Sequence, residues 1–248
     1  MYHFFTSPEN ISDRDIYISG DDFNHIKNVL RMRVGEVISV NDGISDREYR
    51  CHLEGYEENR AHFRLDFIKE SDVELPVRVH LFQCIPKGDK MELIIQKAVE
   101  LGVYEIIPVA SARCVTRIDP KKEEKKLERW NKISCSAAEQ SKRAIIPEVK
   151  SIMSFNGAVE YSKNLDISGL AYELEEGSLS TTGFLTGIKE GTDVGVFIGP
   201  EGGIDEKEAG YAVSSGITSF SLGKRILRTE TAALVFLSWL VYKFEILS

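Results

Sequence analysis

Two short stretches hold the residues best suited to chemistry. Residues 198–203 read IGPEGG, with three glycines, a proline and one carboxylate, Glu201, fed by the apolar run VGVF. Residues 221–233 read SLGKRILRTETAA, with Arg228 and Glu230 just past a second glycine turn. Glycine after a strand marks a point where backbone comes close to something. In open α/β sheets, ligands bind beyond the carboxyl ends of the strands. Two such turns on neighbouring strands therefore predict a ligand site. A carboxylate within a glycine turn suits proton transfer. It suits equally well the binding of backbone N–H groups at the next helix, in the manner of an N-cap. Arg228 offers a cation, with a helix-start ion pair to Glu230 as the alternative reading. The familiar nucleotide signatures are missing: there is no G-x-x-x-x-G-K-[ST] and no G-x-G-x-x-G.

The surrounding elements must position these turns. From about residue 76 the chain alternates short apolar strands with amphipathic segments. VRVHLFQCI, YEIIPVA, DISGLAYE, DVGVFIG and ITSFSLG read as strands. GDKMELIIQKAVELG reads as a helix stopped by Gly102. KKEEKKLERWNKISCSAAEQSKR reads as a long charged helix, and TETAALVFLSWLVYKF as the final one. Asp205 with Glu208 three residues on is a capping-box pattern that opens a helix over DEKEAGYAVSSG. Buried strands joined by crossover helices imply an open parallel sheet covered on both faces. The first 70 or so residues differ. They hold alternating strands and one short helix, over Phe23, Ile26, Val29 and Leu30, with Asp21 or Asp22 as its cap. The polar segment KESDVELP reads as the linker. The expected division is a small β-rich domain at 1–72 and an α/β domain at 73–248. Residues 151–169 and 175–192 carry no usable motif.

The 248 residues are 42% hydrophobic and 28% charged, ordinary for a globular protein. The N-terminus lacks the pattern of a signal peptide. The longest apolar run, TAALVFLSWLVYKFEI, is interrupted by Lys243 and is too short to span a bilayer. A cytoplasmic location without membrane contact is expected. The four cysteines, Cys51, Cys84, Cys114 and Cys135, are far apart in sequence and form no C-x-x-C pair. They read as ordinary thiols, with no metal site. A net charge of −8 argues against a general nucleic-acid coat, although a local basic surface is still allowed.

The motifs carry a resemblance. FIGPEGGIDEKE followed by LGKRILRTETAA looks like the signature pair of the SPOUT methyltransferases, and more narrowly of the RsmE family. HIKNVLRMRVGE, KGDKMELIIQKAVELGV, ARCVTR, AAEQSKRAIIPEV and AYE match the same family in order, so the likeness covers most of the chain. It implies a PUA-like β-barrel followed by an α/β domain with a deep C-terminal trefoil knot, which general topology rules would not suggest. It implies a homodimer packed through the last helix. It also implies S-adenosylmethionine as cofactor and methylation of ring nitrogen N3 of a uridine in small-subunit ribosomal RNA. Another RNA nucleotide, or a non-catalytic RNA-binding role, is the rival reading. By resemblance the cofactor is held by Leu170, Tyr172 and Glu173, by Ile198, Gly199 and Gly202, and by Leu222, Gly223, Ile226 and Leu227.

The chemistry can be set out from there. Methyl transfer from a sulfonium needs in-line alignment and no metal. The uridine N3 proton has a pKa roughly two units above neutral, so ionisation costs about 3 kcal/mol. A cation beside the uracil oxygens lowers that cost, and Arg228 is the candidate. Glu201 is the first candidate base, with Glu139 and Glu230 behind it and loss of the proton to water also open. Arg31, Arg33, Lys87, Arg113, Arg117, Lys142 and Arg143 are the candidate RNA contacts, and the target is the ribosomal RNA or the small subunit itself.

Overall fold

The protein is described by a computed structural model, in which residues 1–116, 118–172 and 178–247 are described. It splits into two compact units. One comprises Met1–Glu74 with Ala138–Ile146, the other Leu75–Ala137 with Pro147–Ser248.

The first unit contains β1 (His3–Phe5), β2 (Asp15–Ser19), α1 (Gly20–Asn24), β3 (Val37–Asn41), β4 (Arg47–Tyr56) and β5 (Arg60–Glu70). These strands form one sheet in the order β1-β3-β4-β5-β2. Only β1 and β3 pair in parallel among them. Side chains alternate along β4, so Tyr49, Cys51 and Leu53 are buried while their neighbours face outward. With Ile16, Ile18, Ile26, Ile38 and Phe63 they make the core of this unit. The short helix is capped at Ser19 rather than at Asp21 or Asp22, because the chain turns one residue earlier, at Gly20 with φ +68. The helical path continues through His25–Leu30 and stops at Arg31, which takes a left-handed φ of 52.

The segment 138–146 was not expected here. Arg143 is 3% exposed, and its guanidinium donates to the Glu74 carboxylate, with Nε 3.1 Å from Oε2. The Ala144 N–H donates to the same carboxylate at 2.9 Å. This corrects the reading of Arg143 as a phosphate contact: its charge is consumed inside the unit. Lys142 beside it is exposed, with φ 59.

The second unit contains β6 (Arg78–Cys84), α2 (Lys90–Glu100), β7 (Glu105–Ala110), α3 (Pro120–Ser141, its last turn counted with the first unit), β8 (Glu148–Val149), β9 (Met153–Ser154) and α4 (Phe155–Ser162). It continues with β10 (Ile167–Ala171), α5 (Ser178–Gly187), β11 (Asp193–Ile198), α6 (Glu206–Ser214), β12 (Thr218–Phe220) and α7 (Thr229–Val241). The sheet runs β12-β10-β11-β6-β7-β8, with β9 also on β7, and the pairings are parallel. Its central strands β6 and β11 are buried on both faces, and Phe82 stacks on Phe197 at 4.3 Å between centroids. Half of the capping box forms: the Lys207 N–H donates to Asp205 Oδ1 at 3.0 Å, while Glu208 Oε1 accepts the Ala112 N–H at 2.9 Å instead.

A polar cluster closes the amino ends of three strands. His80 Nδ1 lies 2.7 Å from Glu105 Oε1, and Tyr161 from α4 donates to that same oxygen at 2.7 Å. Arg78 makes two 2.6 Å hydrogen bonds to Asp193. Burial pushes Glu105 up, but the bonds from His80 and Tyr161 outweigh it and hold the carboxyl below its ordinary value.

Candidate functional site

Register puts the two glycine turns and the end of β10 side by side. Ala171 pairs with Ile198 of β11 and with Phe220 of β12. Three parallel strands thus end on one line at their carboxyl ends, and the chain leaves each of them in the same place. The space between the exits is a cavity of about 370 Å³. Ala171 and Tyr172 line it from β10. Ile198, Gly199, Pro200, Glu201, Gly203 and Ile204 line it from β11, and residues 221–229 from β12, with Lys90 and Ala232 completing it.

Of the residues named from sequence, Tyr172, Ile198, Gly199, Leu222, Gly223, Ile226 and Leu227 line this cavity, as do Arg228 and Glu201. Leu170 does not: it is fully buried in the sheet core. Gly202 does not, because it faces Arg113, whose Cβ lies 3.4 Å from where a Gly202 Cβ would stand. Glu173 and Arg117 lie outside the described residues. Glu230 is absent from the lining, and Glu139 belongs to the other compact unit. Arg31, Arg33, Lys87, Arg113 and Lys142 are exposed.

The first turn is tight. Gly203 donates its N–H to the Pro200 carbonyl at 2.9 Å and takes φ +68. A Cβ on Gly199 would stand 3.2 Å from Ile204 Cγ1 and 3.3 Å from the Gly203 carbonyl carbon. Glycine is needed there first so that the turn can fold back on itself. Glu201 is tied down rather than free. Lys90 Nζ lies 2.7 Å from its Oε1, and the Lys87 N–H donates to the same oxygen at 3.2 Å. Burial pushes its carboxyl up, but Lys90 and backbone N–H groups prevail and hold it below its ordinary value.

The second turn is looser. Gly223 has φ +109, with no heavy atom within 4 Å of where its Cβ would stand. Ile226 is 89% exposed. The Arg228 guanidinium carries neither a hydrogen bond nor an ion pair among the described residues, so the alternative reading, an ion pair with Glu230, does not form. Glu230 instead lies 3.5 Å from Lys90 Nζ. Lys224 and Arg225 are exposed on the same loop.

Sequence reasoning missed Thr229. It is 4% exposed, its Oγ1 donates to the Gly199 carbonyl at 2.6 Å, and it accepts from Gln83 Nε2 at 2.8 Å. This bridge joins the start of α7, the end of β6 and the first turn. A hydroxyl directly after RILR was the available clue, but only the fold shows what it reaches.

The site has the size and mixed lining of a small-molecule pocket. Ile198, Ile204, Leu222 and Leu227 offer apolar walls, the turns offer backbone groups, and cations stand at the edge. That set fits a nucleoside carrying an amino-acid tail, such as S-adenosylmethionine.

Comparison with known proteins gives matching results. An RNA methyltransferase domain family matches residues 73–241, and an RNA methyltransferase PUA domain family matches residues 18–66. The chain is 37% identical over 235 residues to the ribosomal RNA small subunit methyltransferase E of Bacillus subtilis, covering 93% of this chain and 91% of that protein. It resembles the structure of the same-named enzyme from Neisseria gonorrhoeae bound to S-adenosylmethionine, with a TM-score of 0.84 at 33% identity and 98% of each chain covered. A methyltransferase from Legionella pneumophila with bound S-adenosylmethionine gives 0.83 at 30% identity, covering 97% of each chain.

Proposed function

Because this chain belongs to the ribosomal RNA small subunit methyltransferase E family, we propose that it transfers a methyl group from S-adenosylmethionine to N3 of one uridine in small-subunit ribosomal RNA. The observation that carries this reading is the cavity between three strand-end turns, with an arginine at its edge that has no side-chain partner among the described residues. S-adenosylmethionine supplies an electrophilic methyl group there. Tyr172, the 198–204 turn and the 221–227 turn hold it through backbone groups and apolar walls.

Arg228 stands where the acceptor base arrives. Its guanidinium faces a uracil oxygen and stabilises the charge that develops when N3 gives up its proton. A cation free of a protein partner is ready for this, since no ion pair must break first. Glu201 takes a different role from that of a base. A carboxylate committed to Lys90, with its proton affinity lowered, is a poor proton acceptor. It positions the first turn, and the N3 proton leaves to water. No other carboxylate among the described residues lines the cavity.

The remaining parts follow. α7 packs back against α2 after the chain has left the sheet edge at β12, which supports a trefoil knot closing over the cavity. Apolar side chains left half-covered along α7, such as Trp239, suit a homodimer contact. Arg31 and Arg33 in the β-rich unit, with Lys87, Arg113 and Lys142, contact RNA phosphates in the cytoplasm.

The test uses small subunits from a strain lacking the gene, incubated with the protein and labelled S-adenosylmethionine. Digestion and mass spectrometry should find 3-methyluridine at one position. Methyl groups on another atom, or none, would refute the assignment.

A further inference from the structure

The four cysteines are distant in sequence, yet two of them meet. Parallel pairing of β6 and β7 sets Cys84 level with Val109. The chain then turns after β7, with the Cys114 N–H donating to the Ser111 carbonyl at 3.1 Å. That turn brings Cys114 Sγ to 3.7 Å from the Val109 carbonyl and 3.2 Å from Ser111 Oγ. Cys84 and Val109 belong to one buried cluster against which Cys114 packs, and each thiol is the first influence on the other's proton.

The two are unlike. Cys84 is fully buried, and Cys114 is partly open to solvent. The neighbouring Cys84 is the main cause that brings the Cys114 thiol down to about 6, while Cys84 is pushed up. That lowering favours the Cys114 thiolate, the form that acts as nucleophile. Cys51 is its opposite: burial pushes it up to about 12. The loop carrying Cys114 also abuts the first cavity turn, since Arg113 Nη1 donates to the Gly202 carbonyl at 3.2 Å.

We propose that Cys84 and Cys114 form a dithiol that hydroperoxides oxidise to an intramolecular disulfide beside the 199–204 turn. The Cys114 thiolate attacks a peroxide oxygen and the O–O bond breaks. This leaves a sulfenic acid and, with hydrogen peroxide, a hydroxide that takes up a proton to become water. Cys84 sulfur then attacks Cys114 sulfur. The S–O bond breaks, the S–S bond forms, and the Cys84 proton leaves with the departing hydroxide as a second water. The peroxide gains two electrons and the two thiols lose them. Partly exposed Cys114 meets the oxidant, and buried Cys84 resolves the product.

The experiment treats the reduced full chain with hydrogen peroxide and maps peptides without reduction. The expected product joins Cys84 to Cys114 and reverts with dithiothreitol. Cys84→Ser, which keeps a donor beside Cys114 while removing the resolving thiol, should accumulate a Cys114 sulfenic acid that dimedone traps. Cys114→Ser should leave Cys84 unmodified. At pH 7, iodoacetamide should label Cys114 about tenfold faster than Cys135, a partly exposed thiol on α3. The proposal is overturned if the wild type forms no such bridge, if bridges form only between chains, or if dimedone labels Cys114 no more than Cys135 in Cys84→Ser. It does not depend on methyl transfer, so failure of one leaves the other standing.

Discussion

The two ends of one sheet make opposite use of charge. At the amino ends of β6, β7 and β11, His80, Glu105, Asp193, Arg78 and Tyr161 are matched, donor to acceptor. His80 and Glu105 side chains are each 7% exposed. Such a cluster is stable only because every member is satisfied, since an unpaired buried charge is costly. At the carboxyl ends of β10, β11 and β12, the turns leave a cavity, and Arg228, Lys224 and Arg225 stand without side-chain partners among the described residues. Charge that has been neutralised internally holds the fold. Charge left over around a concave site is available to a ligand.

The largest expected effect sharpens this contrast. Arg228→Ala should slow methyl transfer by about 10²–10³-fold, the usual loss for one charge-stabilising donor. Cofactor affinity measured by calorimetry should change less than about twofold. Equal loss in both would make Arg228 a binding residue.

At the other end, His80→Ala should cost about 2 kcal/mol of stability, because the buried Glu105 carboxylate loses one of its donors and keeps Tyr161 and Lys150. In a chain of this length that is roughly 2–4 °C of Tm per kcal/mol. Turnover of the folded protein should be unchanged. Unaltered thermal stability would show that the cluster holds nothing. The same cluster sets an acid limit. The Glu105 carboxyl sits below its ordinary 4.5 in the folded state, so its contribution is complete above the unfolded value. That contribution is lost as pH falls through the lower folded value. Glu105→Gln should flatten stability against pH in that acid range, which urea midpoints at stepped pH would measure.

Thr229→Val joins the two behaviours. It removes one buried donor and one buried acceptor, at about 1–2 kcal/mol, and should weaken cofactor binding several-fold because Gly199 loses its tether. Glu201→Gln should have the smallest effect, a less than about tenfold drop in rate. A general base would lose about 10²–10⁴, so a fall of that size would restore Glu201 to proton transfer.

How much could be read from sequence follows the same physics. Local signals were legible. Gly102 takes φ +85 just past α2, and Asp205 caps α6. Both depend on residues only a few positions apart. Alternation of strand and helix over the second unit was legible for the same reason. What depends on strand order was not. Arg143 looked like part of a basic cluster, but its partner is Glu74, 69 residues away. Thr229 reaches Gln83 across 146 residues. Cys84 and Cys114 read as unrelated thiols because sequence does not reveal that β6 and β7 are neighbours. The resemblance supplied which turns cooperate, and register supplied why: Ala171, Ile198 and Phe220 lie on one line.

Hydrogen exchange measured with and without S-adenosylmethionine tests the contrast between the two sheet ends most directly. Protection should rise across residues 198–204 and 221–228 and stay constant around His80, Glu105 and Asp193. Protection confined to the amino ends, or none at the two glycine turns, would contradict it.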